Sequence, residues 1–192
     1  MSETTHTTAQ KAETFHALHA ATGSFVIANA WDAGSAKLLQ GLGFPALATS
    51  SGAHAGVLGR VDGKVTRDEA LAHAKAIVAA VDLPVSADLE NCFADRPEDA
   101  AQTIAMAADT GLAGASIEDA TGNAAKPLYD PTFAAERVAA AVAAARHAGF
   151  PFVLTARTES FLNGNTDLAD VIRRLQAFEA AGADVLMAPG LP

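Results

Sequence analysis

The 192-residue sequence has a single cysteine, Cys92, which excludes an internal disulfide and a cysteine-rich zinc site. Basic residues are scarce, with 13 Lys and Arg against 22 Asp and Glu and a formal net charge of -9. No Lys/Arg cluster offsets that balance, so a nucleic-acid partner is not expected. There is no run of 18 apolar residues, hence no expected membrane span or membrane partner, and the polar N-terminus is unlike a secretion signal. Cytoplasmic is the default expectation. What remains, 50% hydrophobic and 18% charged residues, is the composition of one soluble domain.

Residues 1–8 are expected to be disordered and 9–192 to form that domain. Gln10–Ala21 reads as a short amphipathic helix, with Phe15, Leu18 and His19 at helical spacing. From there a pattern repeats. Short apolar runs at Phe25–Ala30, Ala46–Ser51, Pro84–Glu90, Gly114–Asp119, Phe152–Glu159 and Ala183–Pro189 alternate with Ala- and Leu-rich helical stretches near 33–41, 66–81, 97–110, 132–148 and 167–181. Thr66 with Glu69 forms a capping-box signature, Pro97 suits a first helical turn, and Asp167 suits an N-cap. Gly111, Gly149 and Gly182 follow helix ends, where a left-handed residue is useful. Alternating βα units give a parallel sheet, either open and doubly wound or closed as a (βα)8 barrel.

The polar residues choose between these. Asn29, Trp31 and Asp32, Thr49 to Ser51, Asp88 and Glu90, Glu118 and Asp119, and Arg157 and Glu159 fall at or just after the ends of five different strands. TIM-type barrels assemble their sites this way, whereas an open sheet concentrates its ligand contacts at one switch point. Asp88 and Glu90 are separated by one residue. They share a face if the extended backbone persists to Glu90, and two such carboxylates suit a hard divalent cation. Only six strands are countable, so the expectation is a TIM-type barrel with about six βα units, either truncated after the sixth strand or left with unpaired edges on the first and sixth strands that something must cover.

Six motifs in register carry a resemblance: Asn29-Ala-Trp-Asp-Ala-Gly-Ser-Ala, Thr49-Ser-Ser-Gly, Gly59-Arg-Val-Asp-Gly, Ala87-Asp-Leu-Glu, Ser116-Ile-Glu-Asp and Ala156-Arg-Thr-Glu. Together, from about Gly23 to Pro189, they resemble the isocitrate lyase/phosphoenolpyruvate mutase superfamily. The resemblance implies a (βα)8 barrel that binds Mg2+, with Mn2+ as the alternative ion, and breaks or makes C–C or P–C bonds in a small 2-oxo acid or its enolate. It implies that Asp88 ligates the metal directly while Asp62, Glu90 and Glu118 hold it largely through water. Arg157 matches the arginine on the substrate side, and Ser51 with Gly52 the loop that binds the substrate carboxylate. Asn163 lies in a segment, Phe161-Leu-Asn-Gly-Asn, similar to the family's loop after the arginine motif. A homo-oligomer is implied as well.

The chain also departs from the family pattern. The lyases carry a Lys-Lys-Cys-Gly-His-type loop after the Glu-Asp motif, but Asp119-Ala-Thr-Gly-Asn-Ala-Ala-Lys-Pro-Leu-Tyr here has neither Cys nor His, which argues against isocitrate or methylisocitrate cleavage. The mutase and phosphonopyruvate hydrolase branches use a lysine and an asparagine in that loop; Asn123 and Lys126 occur in the reverse order and receive no roles.

Plainer readings stand beside these. Asp62 lies among glycines and suits a turn, Asp32 suits a helix cap, and Trp31 suits packing under the barrel mouth as well as a substrate contact. Glu90 and Glu118 suit ion pairs with Arg157 or Lys126, Arg157 suits a pair with Glu159, and Asn163 suits a turn. Cys92 reads as a small loop residue, and His54 as a loop histidine that is either a proton carrier or a surface residue. The expectation is a lyase or mutase with Arg157 and Glu118 as catalytic residues, Asp88, Glu90, Glu118 and Asp62 as the metal group, and Ser51, Gly52, Asn29, Trp31 and Asn163 around a small carboxylic or phosphonic acid. The alternatives are a C–C or C–P bond hydrolase, and a non-catalytic barrel fragment acting in binding or assembly.

Overall fold

Cap chemistry starts the helices. In the computed structural model, which describes residues 6–191, the Thr7 hydroxyl accepts from Gln10 N–H and the Gln10 side chain accepts from Thr7 N–H, opening α1 (Thr8–Ala20). The expected disorder over 1–8 is thereby corrected at Thr7 and Thr8; residues 1–5 lie outside the described residues. The chain then runs β1 (Ile27–Asn29), α2 (Ala33–Gly41), β2 (Ala46–Ala48), α3 (Ser51–Val57), α4 (Arg67–Ala80), β3 (Val85–Asp88) and α5 (Pro97–Asp109). It continues with β4 (Gly114–Glu118), α6 (Pro131–Arg146), β5 (Val153–Arg157), a 3-10 turn (Phe161–Asn163), α7 (Leu168–Ala180) and β6 (Val185–Met187). The Thr66–Glu69 capping box and the Asp167 cap form as expected.

One helix was not expected. Ser51–Val57, read as strand end and loop, is α3, begun by the Ser50 hydroxyl accepting from Ala53 N–H. Its Gly, Ala and His residues give no amphipathic pattern, so periodicity does not reveal it.

All neighbouring strands pair in parallel, in the order β1-β2-β3-β4-β5-β6, and the sheet curls as a TIM-type half-barrel. Alternation along each strand divides two faces. Leu47, Val85, Ala87, Ala115, Ile117, Leu154 and Ala156 join the buried core with Ile77, Ile104, Val138 and Phe178 of the surrounding helices. The opposite face is small and polar at its upper end, carrying Ser86, Asp88, Ser116, Glu118, Thr155 and Arg157. At the lower end α1 plugs the sheet, with Phe15 packed among Ala46, Ala113 and Val153. Gly114 makes that plug fit, since a Cβ there would lie 2.5 Å from Val153 O and 3.0 Å from the Phe15 ring. Register places Asp88 beside Ser116, Glu118 beside Arg157, and Arg157 beside Met187, so strand ends β3 to β5 bring their charges together. Among the described residues no helix is long and apolar enough to cross a membrane.

Candidate functional site: a carboxylate cluster around Arg157

Arg157, the last residue of β5, extends its guanidinium over the strand ends. It pairs with Asp88 at 2.8 Å, Glu118 at 3.2 Å and Glu159 at 2.7 Å. Both plainer readings of this arginine, the pair with Glu159 and the pair with Glu118, are thus present alongside its strand-end position. Burial acts to lower its pKa, but Asp88, Glu118 and Glu159 outweigh it and hold the guanidinium above its ordinary value.

Asp88 is the most connected of the acids. Its Oδ1 accepts from Arg157 Nη1 and from Glu90 N–H at 3.2 Å, and its Oδ2 accepts from Ser51 N–H at 3.1 Å and the Ser51 hydroxyl at 3.0 Å. The Thr49 hydroxyl accepts from Asp88 N–H at 3.0 Å, fixing the strand end. Ser51 therefore serves Asp88 in this structure: the first turn of α3 leaves its N–H free of helical bonding, and a carboxylate takes it. Gly52 lies beneath Asp62, whose Oδ2 would be 3.4 Å from a Cβ at that position. Asp62 also makes the turn its glycine neighbour suggested, its Oδ1 accepting from Gly63 N–H at 3.0 Å.

Glu90 arrives by a route other than the one expected. β3 ends at Asp88, and Glu90 has φ 50°, so the two acids do not share a strand face. The backbone turns instead, Cys92 and Phe93 following at φ 60° and 56°. Left-handed conformations on non-glycine residues cost about 1–3 kcal/mol each and persist only where the surroundings impose them. The turn still leaves Glu90 close enough to the other acids to feel them. Burial first, then Asp62 and Asp88, push its carboxyl up to about 7 against the pull of Arg157. Burial likewise dominates at Glu118. With Glu159, Asp88 and Glu90 adding to it and Arg157 opposing, the carboxyl is pushed up to about 8.

The remaining candidates divide. Asn29 ends β1 and donates from Nδ2 to Thr49 O at 3.2 Å, beside the cluster's β2 flank. Trp31 is 55% exposed, so packing under the mouth is corrected; its carbonyl accepts from His73 Nε2 at 2.8 Å. Asp32 caps α2 together with Ser35. Asn163 donates to Glu159 O at 2.9 Å and makes the 3-10 turn, which uses one donor of its amide. His54 is buried on α3 and stacked on His73 at 3.8 Å between ring centroids, which corrects the loop placement and the surface reading. Burial, then His73, lowers its pKa, and it shares a cleft with Ser51, Asp88 and Glu90. Asn123 and Lys126 line a separate cleft with Asp95, Thr121 and Tyr129. Cys92 is fully buried and its thiol is pushed up to about 12 by burial, consistent with a packing residue.

Two strand-end acids carry more than the sequence analysis assigned to them. Glu159 binds Arg157 through both Nε and Nη2. Asp119, 1% exposed, accepts from Glu159 N–H at 2.8 Å, the Thr158 hydroxyl at 2.9 Å and Arg174 Nη1 at 3.0 Å, fixing the loop that carries Glu159. Their signals were the Ala156-Arg-Thr-Glu motif, read as an Arg157–Glu159 pair, and the Glu118-Asp119 doublet, one acid for each side of the sheet.

A parallel half-barrel with acidic groups gathered at the carboxyl ends of its strands defines a protein of the TIM-type barrel class with a strand-end site. The family model described as phosphoenolpyruvate phosphomutase matches residues 15–192, and the chain belongs to that family. A solved lyase/mutase candidate from Burkholderia cenocepacia J2315 is 54% identical with a TM-score of 0.95, over 96% of this chain and 67% of the other. The 2,3-dimethylmalate lyase, itself a PEP mutase/isocitrate lyase superfamily member, is 30% identical with a TM-score of 0.84, over 94% of this chain and 64% of the other. An uncharacterised Mycobacterium tuberculosis protein is 33% identical over 177 residues, 91% of this chain. The chain spans 64% of the length of that relative.

Proposed function

We propose that the chain carries the acidic site of a Mg2+-dependent enzyme that makes or breaks a C–C or P–C bond in a small 2-oxo acid, or in an acid that forms an enolate. The supporting observation is the charge imbalance at the strand ends. Arg157 pairs with Asp88, Glu118 and Glu159, Asp62 adds its charge at Glu90, and burial first, then these neighbouring acids, push Glu90 and Glu118 up to about 7 and about 8.

The donor set fits a hard divalent ion, because all its free groups are carboxylate oxygens. Among the described residues no three His, Cys, Asp or Glu side chains converge as a direct cage. An ion held by few direct oxygens and several waters matches that spacing, with Asp88 as the direct ligand and Asp62, Glu90 and Glu118 acting through water. Mn2+ fits the same oxygens. When bound, the ion would supply Lewis-acid stabilisation of an enolate oxygen.

The chain's own groups do the rest. Arg157 offers a planar fork suited to a substrate carboxylate or phosphonate, and its three carboxylate partners hold it at the strand ends. Glu118 faces that fork from β4 and is the second catalytic group of this reading. On this reading the start of α3 borders the same anion, Gly52 offering its backbone N–H while the Ser51 N–H and hydroxyl stay on Asp88, with Asn29 and Trp31 on the β1 side and Asn163 on the β5 side. Hydrolysis of the same bonds is the second reading, favoured by the absence of Cys and His between Asp119 and Tyr129. Product analysis separates it from a lyase or mutase. Cytoplasmic residence and a homo-oligomer complete the proposal, resting on composition and on the family resemblance.

The test is the thermal midpoint with Mg2+ and oxalate, which mimics the pyruvate enolate, measured for the chain and for Asp88→Ala. A ligand that binds only the folded state raises the midpoint. A rise that needs both components and is lost in Asp88→Ala supports the reading. Equal midpoints with and without the pair would overturn it.

A further inference from the structure

Arg137 lies on α6, outside the strand-end cluster, and is 1% exposed. Its guanidinium is satisfied by backbone carbonyls rather than by a carboxylate. Nε donates to Asp95 O at 3.0 Å, Nη1 to Glu118 O at 3.1 Å, and Nη2 to Ala94 O at 2.7 Å and to Asn91 O. The Tyr129 ring covers it, 4.2 Å from the ring centroid.

Three of those carbonyls belong to the segment that follows Glu90, the one with left-handed backbone at Glu90, Cys92 and Phe93. Left-handed residues reverse the direction of successive peptide groups, and here they turn the carbonyls of Asn91, Ala94 and Asp95 towards one point. Converging buried carbonyl dipoles repel, and each costs free energy if left without a donor. One planar cation with several donors answers all three, and the fourth bond ties them to Glu118 O. Glu118 N–H in turn donates to Glu90 O at 3.1 Å, so the two acids are joined through backbone on one side and Arg137 on the other.

We propose that Arg137 is a positioning residue: it clamps the segment after β3 to the end of β4 and thereby sets how Glu90 and Glu118 reach the strand-end site. This rests on the reading of that site as a metal centre. The role belongs to Arg because one planar fork reaches four acceptors, which the point charge of Lys does not.

The test uses Arg137→Met and Arg137→Lys, with Val138→Ala as a control. Val138 is a neighbouring buried residue on the same helix whose truncation lowers stability without touching these carbonyls. Two readouts are taken on folded protein: Mn2+ affinity by spin resonance, and the reaction rate of Cys92, the sole and fully buried thiol, with a thiol reagent. Arg137→Met is expected to weaken Mn2+ binding roughly 10-fold or more, the scale of lost outer-shell support, and to speed Cys92 labelling by a similar factor. Arg137→Lys is expected to fall between it and the unaltered chain, and Val138→Ala to leave Mn2+ affinity unchanged and to speed labelling only as far as its loss of stability, measured by urea unfolding, accounts for. Arg137→Met and Arg137→Lys matching Val138→Ala in both would overturn the proposal, as would faster labelling with unchanged Mn2+ affinity. If the unaltered chain binds Mn2+ no better than Asp88→Ala, the metal reading itself fails, and the clamp is then decided by Cys92 labelling alone.

Discussion

Arg157 Nη1 donates to Asp88 Oδ1 at 2.8 Å, although the two residues end strands separated by β4. The bond spans the strand that carries Glu118, so one guanidinium gathers three neighbouring strand ends. Both side chains are shielded, about 15% exposed.

Replacing that cation leaves Asp88, Glu118 and Glu159 facing one another. Arg157→Met is expected to lower unfolding free energy by about 3 kcal/mol, the scale for breaking a shielded ion pair from one side. Urea unfolding checks this. Arg157→Lys keeps the charge but not the fork, and is expected to lose most of the oxalate-dependent midpoint rise while keeping more of the stability.

Asp119 presents a second buried acid with a different task. Asp119→Asn removes the charge facing Arg174 and turns one acceptor into a donor beside Glu159 N–H and Thr158. A loss of about 3 kcal/mol is expected in the same assay. Loosening of the Glu159 loop would be read as faster amide exchange at Glu159.

Gly114 is required by space, since its φ is ordinary. A methyl group 2.5 Å from Val153 O forces β4, β5 or the α1 plug to move. Gly114→Ala is expected to cost about 1–3 kcal/mol, the overpacking range, with a lower midpoint. Gly56, where a Cβ meets nothing within 4 Å, is the control, and Gly56→Ala is expected to be tolerated.

Glu69 gives a pH signature away from the site. Thr66 N–H, Arg60 and the Thr66 hydroxyl hold its carboxyl down to about 2 from an ordinary 4.5. A depressed pKa contributes stability that is present above pH 4.5 and is lost as pH falls towards 2. Glu69→Gln should therefore unfold at a lower temperature than the unaltered chain at pH 6, with the gap closing between pH 4.5 and 2. A gap that stays constant across that window would show that the charge of Glu69 contributes nothing.

Much of the architecture was legible because it follows from local rules. The strand runs and helical stretches at 33–41, 97–110 and 167–181 agree closely with the elements, and Thr66, Asp167 and Asp32 cap their helices as their chemistry suggests. α3 was invisible because its seven residues, mostly Gly, Ala and Ser, carry no periodic apolar face. The Asp88–Glu90 relation was misread because period-2 logic assumes an extended backbone, and the conformation at Glu90 is set by packing around it.

The sequence by itself determined the alternation of strand and helix, the parallel sheet, and the polar residues at the strand ends. Those properties depend on neighbours a few positions away, through periodicity, capping and side-chain alternation. Tertiary structure alone decided which charges meet: that Ser51 serves Asp88, that Arg157 holds three carboxylates, and that four carbonyls share Arg137. The physical reason is that a charge's partner is fixed by register between strands and by desolvation in the assembled interior, and neither exists until the sheet has formed.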